Sequence, residues 1–421
     1  MASSQQSGSL WRHRDFLRLW AAQSVSSFGA RITREGLPYA AILIIDASPA
    51  ELGLLGALAL GPGLIVGLFS GGYIDRSRKR PILVLSDVLR ALILLTVPAA
   101  ALLHALTMVQ LYAVAAAAGA ASVLFDIADH AYLPRLIGRA DLVEGNSKLG
   151  VTESIAEIGG PALAGLLVQW LTAPIAIAVN AFTYLVSALF LSTITAHEPE
   201  PEEKERRPWH RNLAVGFGAI FSLPLVRPLF LMAISSPLFG GFFSALYMFY
   251  AIKVLHLTPT LIGITVAMGG IGSLAGAAMA APIMRWVGVG PAILLCYLVS
   301  ALSAFFVPLA HGTPELAMAY LIAAQLLGDS FAVAAIVTAT SLRQTVVPLP
   351  VMGRVAAAFQ VGGGAPVIVG ALLGGFLAEI FGTREMLFVS AAGITLSLGW
   401  GFFSPLWALR EMPVAPDPAS G

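Results

Sequence analysis

Charged side chains are scarce in this chain. Asp, Glu, Lys and Arg supply 11% of its 421 residues, whereas hydrophobic residues supply 57% and the mean hydropathy is +0.84. Because soluble domains use roughly 25% charged residues, the composition excludes an ordinary soluble protein and indicates one embedded in a lipid bilayer. The apolar stretches reach the length of about 20 residues that a helix needs to cross the hydrocarbon, and they lack the alternating polarity of a β-barrel.

Cysteine and the common catalytic motifs are scarce or missing as well. Cys296 is the only cysteine, which excludes an intrachain disulfide. The sequence contains no His-Glu-x-x-His zinc motif, no Gly-x-Ser-x-Gly elbow and no phosphate-binding Gly-x-x-x-x-Gly-Lys-Ser/Thr loop. We therefore expect no enzyme activity, no metal site, no cofactor and no direct use of ATP. The net charge of +1 gives no indication of a nucleic-acid partner.

The apolar residues are grouped into about twelve successive blocks. This pattern predicts an all-α membrane protein with twelve transmembrane helices in two pseudo-symmetric six-helix bundles. The predicted spans are residues 16–45, 52–70, 82–103, 109–130, 151–171, 174–195, 228–252, 261–287, 291–309, 315–340, 355–381 and 386–409.

A charged, proline-containing run interrupts the apolar blocks near the middle of the chain and indicates a solvated linker. We therefore predict an N-terminal six-helix bundle at 1–195, a linker at 196–212 and a C-terminal six-helix bundle at 213–421. Two short matches relate the halves to each other: 48–53 resembles 258–263, and 160–165 resembles 365–370. Parallel repeats of this kind occur in transporters.

The placement of Lys and Arg predicts the orientation of the chain. Nineteen of the 24 Lys and Arg residues fall on one side of the predicted spans, two fall on the other side and three lie within spans. Since short loops rich in these residues stay in the cytoplasm, we expect a multi-pass protein of the cytoplasmic (inner) membrane with both termini and the linker in the cytoplasm.

A basic hinge between the second and third spans carries the most informative motif. Its sequence runs from Gly71 to Pro81 and resembles the loop signature Gly-x-x-x-Asp-Arg-x-Gly-Arg-Lys of the major facilitator superfamily. The matching residues are Gly71, Asp75, Arg76, Lys79 and Arg80, while Arg78 stands where the signature has its second glycine. The resemblance implies a secondary transporter in which this hinge acts as a conformational latch.

Further motifs resemble one branch of that family, the branch of enterobactin exporters and macrolide efflux pumps. They are Asp87-Val88-Leu89-Arg90-Ala91, Leu133-Pro134-Arg135-Leu136, Asn146, Gly160-Pro161 and Gly353-Arg354-Val355. This resemblance implies an exporter of drug-like or siderophore-like molecules that is driven by protons.

Charged residues within the first and fifth spans are candidates for substrate binding or proton coupling, because an ionised side chain near the bilayer centre costs about 2.5–3.5 kcal/mol on insertion scales. Arg31 and Glu35 share one helix face, and Arg34 lies beside them. They can satisfy each other within the helix, or face a cavity as a site for substrate or protons. Glu157 in the fifth span is predicted to meet Arg31 or Arg34.

Four further charged residues lie near the hinge in the predicted topology. Asp87 and Arg90 begin the third span, and Asp126 and Asp129 end the fourth. We predict that the carboxylates pair with Arg90 and the hinge cations and so latch neighbouring helix ends together. A proton relay through Asp126 is the alternative.

The remaining candidates are small or isolated. Gly160, Pro161 and Gly165 are predicted to pack the fifth span closely against a neighbour, with sealing of an antiport pathway as the alternative. Gln325 and Asp329, one turn apart in the tenth span, are predicted to contact substrate or protons, or to be a satisfied polar pair.

We therefore predict a monomeric secondary active transporter that exports small amphipathic molecules by alternating access, coupled to protons, with the lipid bilayer as its surroundings. Two alternatives remain open at this stage. One is uptake of a nutrient or metabolite by the same fold, and the other is a membrane receptor or scaffold that does not transport.

Overall fold

The structure of the chain is a computed structural model. It describes residues 10–138, 141–196, 198 and 209–413, with only the backbone described at 70–73, 75 and 209–212. Two residues predicted to belong to the latch, Gly71 and Asp75, therefore lie outside the residues whose side chains and surroundings are described.

The described residues fold into helices, and no strand occurs among them. The first six helices are α1 (Arg14–Ala40), α2 (Pro49–Asp75), α3 (Lys79–Leu102), α4 (Met108–Ile137), α5 (Leu142–Leu171) and α6 (Ala173–Ser192). The later helices are α7 (Trp209–Ser222), α8 (Val226–Phe249), α9 (Pro259–Val287), α10 (Val289–Ser303), α11 (Phe306–Leu309), α12 (Pro314–Val346), α13 (Leu349–Phe381), α14 (Thr383–Ser397) and α15 (Gly399–Phe402).

Among the described residues, eleven helical stretches are long and apolar enough to cross a membrane. The helix α1 is not one of them by hydropathy, because its 27 residues include the charged Arg31, Arg34 and Glu35. With α1 the long helices make twelve, and the all-α membrane fold predicted from the sequence is confirmed.

The described residues divide into two compact units. Unit 1 comprises 10–45 and 58–198, and unit 2 comprises 46–57 and 209–413. The helix α2 therefore begins in unit 2 and continues in unit 1. The domain boundaries predicted at 1–195, 196–212 and 213–421 stay a prediction.

Unit 1 is built by α1 and α3–α6 together with the larger part of α2. Within it α1 packs on α5 and α6, and α3 packs on α4 and α6. At one end of the bundle Phe16, Leu19 and Leu191 are fully buried in a shared apolar cluster. The cluster also includes Leu10, which begins the short 3₁₀ turn Leu10–Arg12 ahead of α1. This cluster fixes the ends of the helices whose polar faces form the site described below.

Unit 2 contains a helix that the sequence prediction missed. The short α7 precedes the first long helix of this unit, and its apolar residues Leu213, Phe217 and Ile220 pack into a cluster with Phe230 of α8 and Val355 of α13. The residues from 209 to 212, which we predicted as linker, are therefore the first turn of a packed helix.

The first turns of α2 are held in unit 2 by α13 and the segment after α8. A Cβ atom at Gly53 would lie 2.4 Å from the carbonyl oxygen of Ala371, so the two helices approach at backbone distance. Glu379 Oε1 accepts a hydrogen bond from the backbone nitrogen of Ala50 at 3.3 Å. Lys253 forms an ion pair with Asp46 just before α2.

The helices α8 and α13 also approach each other at backbone distance, because a glycine lies at their contact. A Cβ atom at Gly370 would lie 1.8 Å from the carbonyl oxygen of Leu238, a distance that real Cβ atoms do not show. In the same helix, a Cβ atom at Gly353 would meet nothing within 4 Å. The two glycines therefore form a matched pair for testing this packing.

We expect Gly370→Ala to lower the stability of the protein by about 1–3 kcal/mol, because α8 must shift to admit the new methyl group. The control Gly353→Ala should leave stability unchanged or raise it slightly, since alanine favours the helix. Thermal unfolding followed by tryptophan fluorescence in a mild detergent checks both. Equal melting temperatures for the two variants would contradict the packing described here.

Candidate functional site

A polar cavity of about 690 Å³ lies within unit 1, a volume typical of small-molecule sites. It is lined by α1, α3, α4 and α5. Its polar lining includes Gln23, Ser26, Ser27, Arg31, Arg90, Ser122, Asp126, Asp129, His130, Asn146, Thr152 and Glu153. In a membrane bundle, such a cavity is where ionisable side chains can keep their charge.

An ionic network joins α1 to α5 beside this cavity. Arg31 forms ion pairs with Glu153 and Glu157, and the distance from its Nη2 to Glu157 Oε2 is 2.5 Å. Arg34 Nη2 lies 3.2 Å from Glu157 Oε1, and its Nε lies 3.3 Å from Glu35 Oε1. Glu157 thus contacts both arginines, which makes it the central carboxylate of the network.

The network contains more negative than positive groups. Two guanidinium groups face three carboxylates, so its formal charge is −1 when every group is ionised. Glu153 and Glu157 are 51% and 39% exposed, whereas Arg31 is 20% exposed. Solvent or a small cation can therefore reach the carboxylates, and binding of one proton would balance the charge.

The sequence predicted part of this arrangement. The meeting of Glu157 with Arg31 and Arg34 is found in the structure. The alternative in which Arg31 and Glu35 satisfy each other within α1 is wrong about the partners, because Arg31 pairs across to α5 and Glu35 pairs with Arg34. The functional role of these residues stays a prediction.

Gly160 determines how closely α5 can approach Arg31. A Cβ atom at position 160 would lie 2.5 Å from the Cβ atom of Arg31. Pro161 and Gly165 are buried in the same helix, and the packing role predicted for them stays a prediction. The missing side chain leaves room for the stem of Arg31 where it passes α5.

Two further contacts extend the polar surface along α1. Gln23 donates a hydrogen bond to Asp129 of α4. Ser27 Oγ donates to Glu153 Oε2 at 2.8 Å. Asp126 lies on the wall of the same cavity, so α1, α4 and α5 are linked by polar contacts.

The pair Asp87–Arg90 is buried in unit 1, with Asp87 fully inaccessible and Arg90 3% exposed. The guanidinium carbon of Arg90 lies 4.3 Å from the ring centre of Phe125 and 4.2 Å from that of Tyr184. A buried arginine held by a carboxylate and two aromatic faces is restricted in orientation. Arg90 also contributes to the cavity wall.

Two of the hinge cations contact backbone carbonyl oxygens in the structure. Lys79 is fully buried and donates to the carbonyl oxygens of Ile74 and Ser77, so it satisfies the end of α2. Arg80 donates to the carbonyl oxygens of Leu191, at 3.0 Å, and Ser192 at the end of α6.

Asp126 and Asp129 lie within α4 on the wall of the polar cavity, which Arg90 also lines, and their predicted role in the latch stays a prediction. Asp129 is eight residues, or about 12 Å, from the end of the helix at Ile137. Its recorded partner in the described structure is Gln23. Of the other hinge cations, Arg76 has an exposed side chain that also makes contacts in the structure.

Glu198 is a hinge partner that the sequence did not indicate. Its carboxylate accepts hydrogen bonds from the backbone nitrogens of Lys79, at 2.5 Å, and Arg80, at 3.2 Å, which are the first two residues of α3. It also lies 3.3 Å from Arg135 Nη1 of α4. One carboxylate therefore joins the ends of α3 and α4 to the segment that follows α6.

In unit 2, Asp329 of α12 lies directly against α9. A Cβ atom at Gly269 would be 2.1 Å from Asp329 Oδ2 and 3.6 Å from the Cβ atom of Gln325. The two residues predicted as a polar pair therefore share one helix face that meets a glycine of α9. Asp329 has interactions of its own, and its role stays a prediction.

The sequence did carry a signal for the cavity wall that we did not use. Gln23, Ser27 and Arg31 follow one another at intervals of four residues, so they lie on one face of α1. Asn146, by contrast, was noted only as part of the motif resemblance, and its place on the cavity wall comes from the structure.

Comparison with known proteins identifies relatives of this chain. Residues 19–371 match the sequence model of the family described as Major Facilitator Superfamily. An uncharacterized MFS-type transporter of Bacillus subtilis (strain 168), YfiS, is 26% identical over 178 residues. That match covers 42% of this chain and 42% of the relative.

Solved structures with the same fold are similar over nearly the whole chain. A bacterial homologue of the iron transporter ferroportin has a TM-score of 0.75 and 16% identity, with 95% of this chain and 100% of that chain covered. The nucleoside transporter NupG has a TM-score of 0.71 and 14% identity, with coverages of 92% and 98%. At these identities the likeness concerns the fold alone.

The charge balance of the α1–α5 network can be tested by stability. We expect Arg31→Gln to destabilise the protein, because three carboxylates then face a single guanidinium group. Adding Glu153→Gln should restore part of the lost stability. Because Glu153 is about half exposed, we expect a coupling free energy of about 1 kcal/mol between the two substitutions. Thermal unfolding of the single and double variants measures it. Glu315→Gln, an exposed change at the start of α12, should give no rescue; rescue there would show that the effect is not local.

Proposed function

Because the chain belongs to the Major Facilitator Superfamily, we propose that it is a secondary active transporter that exports small amphipathic molecules by alternating access in exchange for protons. The observation that carries the proton coupling is the α1–α5 network with its formal charge of −1. A proton on one of its carboxylates would neutralise the network, and loss of that proton would restore a negative site beside the polar cavity.

Glu157 is the residue we propose as the proton carrier. It contacts both Arg31 and Arg34, so its protonation would weaken two ion pairs at once. Glu35 and Glu153 then hold the two arginines in place. Proton and substrate would compete for the same face of α1 and α5, which is what exchange of one for the other requires.

The direction of transport and the substrate class come from the motif resemblance. The motifs shared with enterobactin exporters and macrolide efflux pumps support export of drug-like or siderophore-like molecules. The distribution of Lys and Arg supports a protein of the cytoplasmic membrane with both termini and the hinge in the cytoplasm.

We propose that the hinge stabilises one of the two states of the transport cycle. Lys79 and Arg80 tie the start of α3 to the carbonyl ends of α2 and α6, and Glu198 ties both to α4. These contacts hold helix ends and do not line the polar cavity. They are therefore suited to set the rate of conformational change more than the affinity for substrate.

Proton coupling is tested in everted membrane vesicles with radiolabelled erythromycin and ethidium as probes. We expect a proton gradient to drive accumulation of at least one probe and Glu157→Gln to abolish it, because the variant network is neutral without a proton. Exchange of probe across the membrane without a gradient should persist in the variant.

The matched control for this test is Glu315→Gln, which lies outside the network and should accumulate probe normally. Gradient-driven accumulation that survives Glu157→Gln would exclude Glu157 as the proton carrier. Accumulation in right-side-out vesicles in place of everted ones would show uptake and contradict the proposed direction.

The role of the hinge is tested with Glu198→Gln, which keeps the shape of the side chain and removes its charge. We expect the maximal rate of erythromycin transport to fall severalfold while KM changes little, because weaker contacts at the helix ends alter switching and not binding. The exposed Glu411→Gln serves as the control. A rise in KM at an unchanged maximal rate would contradict the latch.

A further inference from the structure

Unit 2 contains a cavity of its own, with a volume of about 360 Å³. Leu398, which follows α14, contributes to its wall, which is otherwise lined by α8, α10, α12 and α13. These are the helices of the first, third, fourth and fifth spans of the second repeat. The polar cavity of unit 1 is lined by the helices at the same places in the first repeat, so the two cavities occupy equivalent positions in their own units.

The chemistry of this second cavity differs from that of the first. Its wall is mainly apolar and includes Leu229, Met232, Ile336 and Phe359. Among the described residues that line it, Arg343 is the only charged one. An apolar cavity of this size with one charged group is typical of a site for a molecule with an apolar body and a single charge of opposite sign.

Arg343 stacks on one aromatic ring of this wall. Its guanidinium carbon lies 4.5 Å from the ring centre of Phe359, and Tyr297 contributes to the same wall. Stacking on a ring leaves the N–H groups of a guanidinium free to donate at its edge, where they match the oxygens of a carboxylate or phosphate.

No carboxylate compensates this charge in the described part of the chain. The ion pairs recorded there involve other residues, among them the arginines of unit 1. An unpaired guanidinium against an apolar wall is unfavourable compared with one that has an anionic partner. Arg343 is half-buried, and its N–H groups are therefore available to an anion bound in this cavity.

We propose that the cavity of unit 2 binds an amphipathic organic anion, with Arg343 as the counter-ion of its carboxylate or phosphate and the apolar wall around its hydrocarbon body. Two sources offer this chemistry, a transported compound and an anionic lipid of the bilayer. Only the first reading rests on the proposed transport function, because binding itself can be measured without transport.

The test uses a fluorescent pair of probes, dansylaminoundecanoic acid in its ionised form and its uncharged primary amide. Purified full-length protein in nanodiscs of phosphatidylcholine is titrated with each probe, and empty nanodiscs give the background. We expect the acid to bind more tightly than the amide. In Arg343→Gln the affinity for the acid should fall on the order of tenfold, as expected for loss of a charge-assisted hydrogen bond, while that for the amide stays within about twofold.

Three further variants locate the effect. Arg343→Lys keeps the charge and should retain most of the preference for the acid. Ala339→Trp fills the cavity and should weaken binding of both probes. Arg227→Gln removes an exposed arginine of the same unit and should change neither affinity.

Nanodiscs that contain phosphatidylglycerol separate the two sources. If the lipid is the occupant, the acid should bind more weakly in these discs, and Arg343→Gln should remove the difference between lipids. If affinity is the same in both lipids, the occupant is a free amphiphile.

Equal affinities of the acid and the amide for the unchanged protein, or binding that Arg343→Gln and Ala339→Trp leave intact, would overturn the proposal. A protein that binds the acid through Arg343 but shows no proton-driven flux would refute the proposed transport and leave this site standing.

Discussion

The cost of an ionised group in hydrocarbon is the constraint on which the rest of unit 1 depends. An isolated charge near the bilayer centre costs several kcal/mol, whereas a paired charge beside a polar cavity does not. Each deep arginine of this unit is accordingly paired: Arg31 and Arg34 with carboxylates of α1 and α5, and Arg90 with Asp87 between two aromatic rings. Since the pairs with α5 cross between helices, they fix which face of α1 lies against α5.

The same constraint explains why the excess carboxylate of the network matters. In a soluble protein an exposed group with one surplus charge would be screened by water and salt. Beside a cavity in a membrane bundle, this screening is weaker. A proton that binds to a carboxylate, or a ligand that displaces one partner of an ion pair, therefore changes the electrostatic free energy of the network more than it would at the surface of a soluble protein. Glu157, which contacts both arginines, is where such a change reaches two helices at once.

The long helices could be predicted from the sequence because length and hydropathy determine them: the span predicted at 174–195 is α6, Ala173–Ser192.

The helix α7 was missed because its 14 residues are too short to span a bilayer. Its pattern was nevertheless visible, with Leu213, Phe217 and Ile220 on one face. The ion pairs could be predicted only as alternatives, Arg31 with Glu35 in its own helix or with Glu157 across the bundle, since spacing alone does not distinguish the two. Arg343 lies three residues beyond the span predicted at 315–340, and only the structure places it on a cavity wall.

The two units also show how a duplicated helix arrangement can keep its packing while its chemistry diverges. In unit 1, the absent side chain of Gly160 leaves room for the stem of Arg31, and in unit 2 the absent side chain of Gly269 leaves room for the carboxylate of Asp329. The position of each charge is thus determined by a glycine on the facing helix. Substitutions of cavity-lining residues can then change the charge of a site without altering the approach of the helices. This separation allows one repeat to hold a network of five charged groups and the other a cavity with a single arginine on its wall, while each unit keeps the same order of helices.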